Sequence, residues 1–135
     1  MTKLERKYIQ FAAILGLLGI LLGAFAAHGL KTILSSEILN SFQTGVRYQF
    51  YHTFFILAII PLPLSKKIKQ LILKTTILGV SLFSGSIYLL CLAPHFLNWE
   101  LPKIIGLITP IGGICLALSW GILFWAAFKA QNDPS

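Results

Sequence analysis

From Ile9 to Leu30 the chain reads IQFAAILGLLGILLGAFAAHGL, without one Asp, Glu, Lys or Arg. As an α-helix this stretch is long enough to cross a hydrocarbon core of ~30 Å. Three more apolar stretches follow, at about 46–64, 71–93 and 104–128, and the first of these is the least apolar. Only 11% of the 135 residues are charged, whereas a soluble domain carries about a quarter. The surplus apolar surface must face lipid, where a helix satisfies its own backbone polar groups. The pattern predicts an all-α membrane protein: a single domain over residues 1–135, folded as a four-helix transmembrane bundle with spans at about 9–30, 46–64, 71–93 and 104–128.

Local punctuation fits four helices with short connections. Ser35 or Ser36 can cap a helix that has Glu37 in its first turn, where the helix dipole favours an anion. Pro61 and Pro63 end the second stretch, Pro94 is expected to stop the third, and Pro102 stands just ahead of the fourth. Lys3, Arg6 and Lys7 before an apolar run imitate a cleavable signal peptide. Cleavage would discard a glycine-rich helix suited to packing, so an intact first span is expected.

Charge sets the orientation. With four spans, both termini and the middle loop share a side that holds Lys3, Arg6, Lys7, Lys66, Lys67, Lys69, Lys74 and Lys129. The opposite side has Lys31, Arg47 and Lys103, set against Glu37 and Glu100. Basic residues gather on the cytoplasmic side, so both termini are expected in the cytoplasm. The net charge of +7 resides in these clusters, with no accompanying aromatic platform. The expected partner of that charge is the lipid bilayer and its anionic headgroups, not nucleic acid.

Side-chain periodicity suggests what each helix faces. Gly16, Gly19, Gly23 and Ala27 form a small-residue seam in the first span, the last three spaced four apart. In the second, Asn40, Ser41, Thr44, Arg47, Tyr48, Tyr51 and His52 fall within an arc of roughly 140°, and Leu39, Phe42, Val46 and Phe50 lie opposite. The expectation is that the polar stripe turns inward and the apolar face meets lipid. Ser81, Ser84, Gly85 and Tyr88 share a face of the third helix; Gly106, Thr109 and Gly113 share one of the fourth, with Trp120 further on. His28, Arg47, Tyr48, Tyr51, His52, Ser84, Tyr88 and Thr109 would then lie at one level in the outer half of the membrane, with Gly85 and Gly113 serving helix packing. Two readings stay open. These groups satisfy one another and snorkel to the headgroups, or they line an outward-facing pocket for a lipid headgroup, small ligand, ion or membrane-protein partner.

Catalytic chemistry finds little support. Cys91 and Cys115 would lie roughly 15 Å apart by helical rise, too far for a disulfide, and read as small buried hydrophobes. His28, His52 and His95 have no carboxylate at their level and no HExxH spacing, so no metal is expected. Glu5, Glu37, Glu100 and Asp133 all sit in loops or tails, leaving no buried acid to orient a base. No enzyme activity and no cofactor are expected. A transport path needs polar groups at several depths or a broken midplane helix, and Pro110 with Gly112 and Gly113 is the candidate break.

Four blocks carry a resemblance: GAFAAHGL (Gly23–Leu30), FQTGVRYQFYHTFFIL (Phe42–Leu57), LFSGSIYLL (Leu82–Leu90) and ITPIGGICLALSWGIL (Ile108–Leu123). In order and spacing they resemble the transmembrane protein 256 / YgdD family of small membrane proteins, also called domain of unknown function 423. Ala26 stands where that family usually has a glycine. The resemblance implies a multi-pass protein of the bacterial inner membrane and brings no established activity. The expected function is that of a small binding or accessory component, with a transporter or channel component and a purely structural protein as alternatives.

Overall fold

Hydroxyl caps legible in the sequence open three of the four helices in the computed structural model, which describes residues 1–132. The elements are α1 (Lys3–His28), α2 (Ser36–Ile59), α3 (Lys66–Phe96) and α4 (Ile105–Asn132), with a 3-10 turn at Leu30–Thr32 joining α1 to α2. Among the described residues there is no strand; Asp133 lies outside them. Thr2 caps α1: its hydroxyl accepts from the Glu5 amide at 3.2 Å, and the Glu5 carboxylate accepts from the Thr2 amide at 2.7 Å. That backbone N–H is the main reason the Glu5 carboxyl is held below its ordinary range. Ser35 and Ser65 cap α2 and α3, each hydroxyl accepting from the amide three residues on at 3.4 Å.

Pro94 does not stop α3, which runs on to Phe96. The proline removes its own amide donor and crowds the Leu90 carbonyl, yet the backbone stays helical for two residues beyond it. The stop comes at Asn98, whose φ of 48° is the left-handed conformation that asparagine tolerates better than most residues. At its other end α3 assists its neighbour, as the Lys69 ammonium donates to the Ile60 carbonyl at the end of α2 (2.7 Å).

α1, α3 and α4 are long and apolar enough to cross a membrane. α2 is more polar, yet it lies at the centre, packed along α1 on one side and α3 on the other. α4 packs along α3 and reaches α2 through Trp120, whose ring lies 4.2 Å from that of Phe55. The α1 seam that meets α2 is Ala12, Gly16, Gly19, Gly23 and Ala26, in alternating steps of four and three. That average of 3.5 keeps a helix face turned toward one neighbour. A strict run of four drifts off the face, which is why Ala26 is buried and Ala27, expected in the seam, is exposed.

Between α3 and α4 the close approach is made by Gly112 rather than Gly113. A methyl group at Gly112 would collide with the Phe83 amide and lie 2.8 Å from the Leu82 carbonyl carbon. One at Gly113 would make ordinary contact, 3.7 Å from the Phe83 ring. Gly85 and Gly106 face open space, so Gly85 serves no helix contact within the chain.

Candidate functional site

The interior of the bundle is layered. Ala26, Leu30, Leu34, Phe42, Val46 and Cys91 form an apolar cluster at one end of α2. Two clusters, around Tyr8, Ala12 and Ile56 and around Phe55, Ile59 and Ile72, occupy the other end. Between them on α2 come Gln49, His52 and Thr53, all buried. Polar groups are thus enclosed above and below by hydrocarbon, where every unmade hydrogen bond is costly.

Each of them is satisfied. The Gln49 amide donates to the Leu15 carbonyl of α1 at 2.6 Å, and its oxygen accepts from the Tyr88 hydroxyl of α3 at 2.8 Å. One side chain therefore ties three helices. Ser84 donates to the Gly45 carbonyl at 2.8 Å, and the missing Gly45 side chain makes room for Tyr88, whose ring edge would lie 2.8 Å from a methyl group there. Thr53 returns its hydroxyl to the Gln49 carbonyl at 2.8 Å. His52 places Nδ1 2.8 Å from the Tyr48 carbonyl, and its Nε2 meets the Trp120 indole N–H at a longer 3.4 Å. An indole only donates, so Nε2 accepts and Nδ1 carries the proton.

The residues expected at one inward-facing level separate into three groups. His52, Ser84 and Tyr88 belong to this layer. Thr109 pairs with Ser86 at 2.6 Å in the α3–α4 seam. Arg47, Tyr48, Tyr51 and His28 are exposed, the two tyrosines at 39% and 56%. The inward polar stripe is thus corrected. α2 buries Phe42, Gly45, Val46, Gln49, His52, Thr53 and Ile56, and turns the arginine and tyrosines outward. The reason is physical. A central helix presents small and apolar residues to both neighbours, and a buried guanidinium without a carboxylate would carry a heavy desolvation cost. Ser81 is likewise exposed.

The outward group has its own order. Arg47 donates to the Thr44 hydroxyl at 2.7 Å, the one hydrogen-bond partner its guanidinium has among the described residues. Tyr48 tilts against Phe83 at 4.6 Å and against Tyr51 at 5.8 Å between ring centroids. Cys91 and Cys115 are free thiols, and no group of three or more His, Cys, Asp or Glu is placed to hold a metal among the described residues.

Gln49 was absent from the sequence-derived site, and so were Gly45 and Trp120. A signal for Gln49 existed. It lies seven residues after Phe42 and three after Val46, on what is otherwise an apolar face, and a lone amide there points to a bond between helices.

Comparison with known proteins sets the chain among membrane proteins. A family described as "Protein of unknown function (DUF423)" matches residues 22–113. A UPF0382 membrane protein of Haemophilus influenzae is 36% identical over 130 residues, covering 96% of this chain and 99% of that one. The UPF0382 membrane protein YwdK of Bacillus subtilis is 36% identical over 129 residues, covering 90% and 96%. The UPF0382 inner membrane protein YgdD of Escherichia coli is 33% identical over 131 residues, covering 95% and 94%. No solved structure matches. The chain belongs to the DUF423 (UPF0382) family of multi-pass membrane proteins.

Proposed function

We propose that this is a four-span inner-membrane protein, with both termini in the cytoplasm, that acts as a small binding or accessory component. The fourth span is α2. Two features support this: its position along α1 and α3, and its length of about 36 Å for 24 residues. Its low hydropathy comes from Gln49, His52 and Thr53, which are buried and bond within the bundle, and from exposed Glu37, Asn40, Ser41 and Arg47 toward its first half. The basic residues around both termini and the α2–α3 turn support the cytoplasmic placement.

The observation that carries the binding role is the exposed Arg47 guanidinium, held by Thr44 alone and flanked by Tyr48 and Tyr51. Bidentate donors left free beside amphipathic rings suit the phosphate of an outer-leaflet headgroup, an anionic small ligand, or an acidic group on a partner helix. The role is non-catalytic in this reading, because His52 has both ring nitrogens engaged and no acid behind it. A conduit within one chain is disfavoured by seams closed by glycine contacts and by the apolar clusters above and below the polar layer.

Native mass spectrometry of the protein released from its own membrane tests the reading. The native chain should carry a bound species that Arg47→Ala loses, while the ligand-free forms of both unfold at the same temperature. A chain that carries no bound species, or an Arg47→Ala variant that retains every species the native chain carries, would rule the site out.

A further inference from the structure

The opposite end of the bundle holds a second site. The first turns of α1 and α3 converge there on a cavity of about 230 Å³, lined by Thr2, Lys3, Leu4, Glu5, Tyr8, Leu64, Lys66 and Lys69. At roughly 30 Å³ per water molecule, it is large enough for a phosphate group and part of what the phosphate is attached to. Three of the lining residues are lysines and one is a glutamate. That glutamate already engages the Thr2 amide through Oε2. Lys69 uses one donor on the Ile60 carbonyl and keeps its others. The cavity also lies beside the N-termini of two helices, where the positive ends of their dipoles favour an anion.

The decisive observation is Tyr8. It is only 2% exposed, and its hydroxyl is the buried side-chain polar atom left without a hydrogen-bond partner among the described residues. Side chains on a helix lean toward its N-terminus, which directs this ring toward the cavity it lines. An orphaned donor in such a place is destabilising unless something accepts from it. Lys3, Lys66 and Lys69 line the same cavity, and its one carboxylate, Glu5, already accepts from the Thr2 amide. The partner the Tyr8 hydroxyl lacks is an acceptor, and the three lysines favour one that is anionic.

We infer that this cavity binds a phosphate group through Lys3, Lys66, Lys69 and the Tyr8 hydroxyl. In the membrane its natural bearer is an anionic phospholipid headgroup at the same face; free phosphate has the same recognition chemistry. This site is independent of the Arg47 surface, which lies on α2 far from the first turns of α1 and α3.

Two arms test it, with thermal unfolding and native mass spectrometry as readouts on the full chain. In lipid-free detergent micelles, Tyr8→Phe should unfold at the same or a higher temperature than the native chain, because it deletes an unpaired hydroxyl. On adding phosphatidylglycerol the order should reverse, and lipid retention by Tyr8→Phe should fall roughly tenfold, the weight of one hydrogen bond to a charged group. Lys66→Gln with Lys69→Gln should abolish the preference for phosphatidylglycerol over phosphatidylcholine, while Lys7→Gln, outside the cavity, should leave it intact. Replacing the lipid by millimolar inorganic phosphate separates the sources. Stabilisation that needs Tyr8 in that arm assigns the site to free phosphate, and stabilisation by the lipid alone assigns it to the headgroup. The proposal is overturned if neither probe distinguishes Tyr8→Phe from the native chain, or if Lys7→Gln weakens lipid retention as much as the paired substitution does.

Discussion

The Gln49 amide nitrogen lies 2.6 Å from the Leu15 carbonyl oxygen, joining the centre of α2 to the middle of α1. Because the same side chain also accepts from Tyr88 at 2.8 Å, removing it breaks two contacts between helices. It also takes from the half-buried Tyr88 hydroxyl its Gln49 acceptor.

Gln49→Leu is therefore expected to destabilise the fold. Interhelical hydrogen bonds in membrane proteins contribute about 0.6 kcal/mol each and at most about 1.7, so a loss of about 1–3 kcal/mol is expected once the hydroxyl left without its acceptor is included. Tyr88→Phe should cost less, and the double variant Gln49→Leu/Tyr88→Phe should cost less than the two single losses combined. Reversible unfolding in mixed micelles measures all three. Strict additivity would show that the pair does not interact.

Glycine substitutions should divide by position. Gly112→Ala forces a methyl group against the backbone of α3 and should cost about 1–3 kcal/mol, as overpacking does. Gly85→Ala meets no atom within 4 Å and should be neutral or slightly stabilising, since alanine is the better helix former. The same unfolding assay reads both. Equal effects would contradict the close approach of α4 to α3.

How far the sequence could be read follows from these residues. Apolar run length was enough to reveal α1, α3 and α4, whereas α2 opens well before its apolar run, at the cap that Ser35 or Ser36 offered. The glycines of α1 were legible as a seam because small residues at helical spacing have one common use. The facing of α2 was not legible. Its polar arc and its buried face overlap at His52, and a moment taken over one helix does not say that neighbours lie on two sides. Arg47 and Tyr51 drew attention as polar residues in an apolar run, but it was Gln49, on the apolar side, that bonded across the helices. Gly112 and Gly113 are adjacent, and only coordinates decide which of them meets Phe83.

Acid should loosen the first turn of α1. The Glu5 pKa lies below its ordinary 4.5 in the folded chain, chiefly because it accepts from the Thr2 amide. A depressed pKa means that the ionised form is favoured by folding, so its contribution is complete above the unfolded value and is lost as pH falls through the folded one. Hydrogen exchange in the first turn of α1 should accelerate, relative to the intrinsic rate, as pH drops below 4.5. Glu5→Gln should remove that dependence; a native chain with no such dependence would contradict the capping box.

The proposed four-span bundle requires α2 to cross the membrane despite its polarity. In a Cys91→Ala/Cys115→Ala background, single cysteines at Glu37 and Lys67 bracket this helix, and a membrane-impermeant maleimide applied to intact spheroplasts reports the side of each. Glu37→Cys should label from outside and Lys67→Cys only after permeabilisation. Labelling of both from the same side would mean that α2 does not span, and the layered four-helix arrangement could not stand in the bilayer.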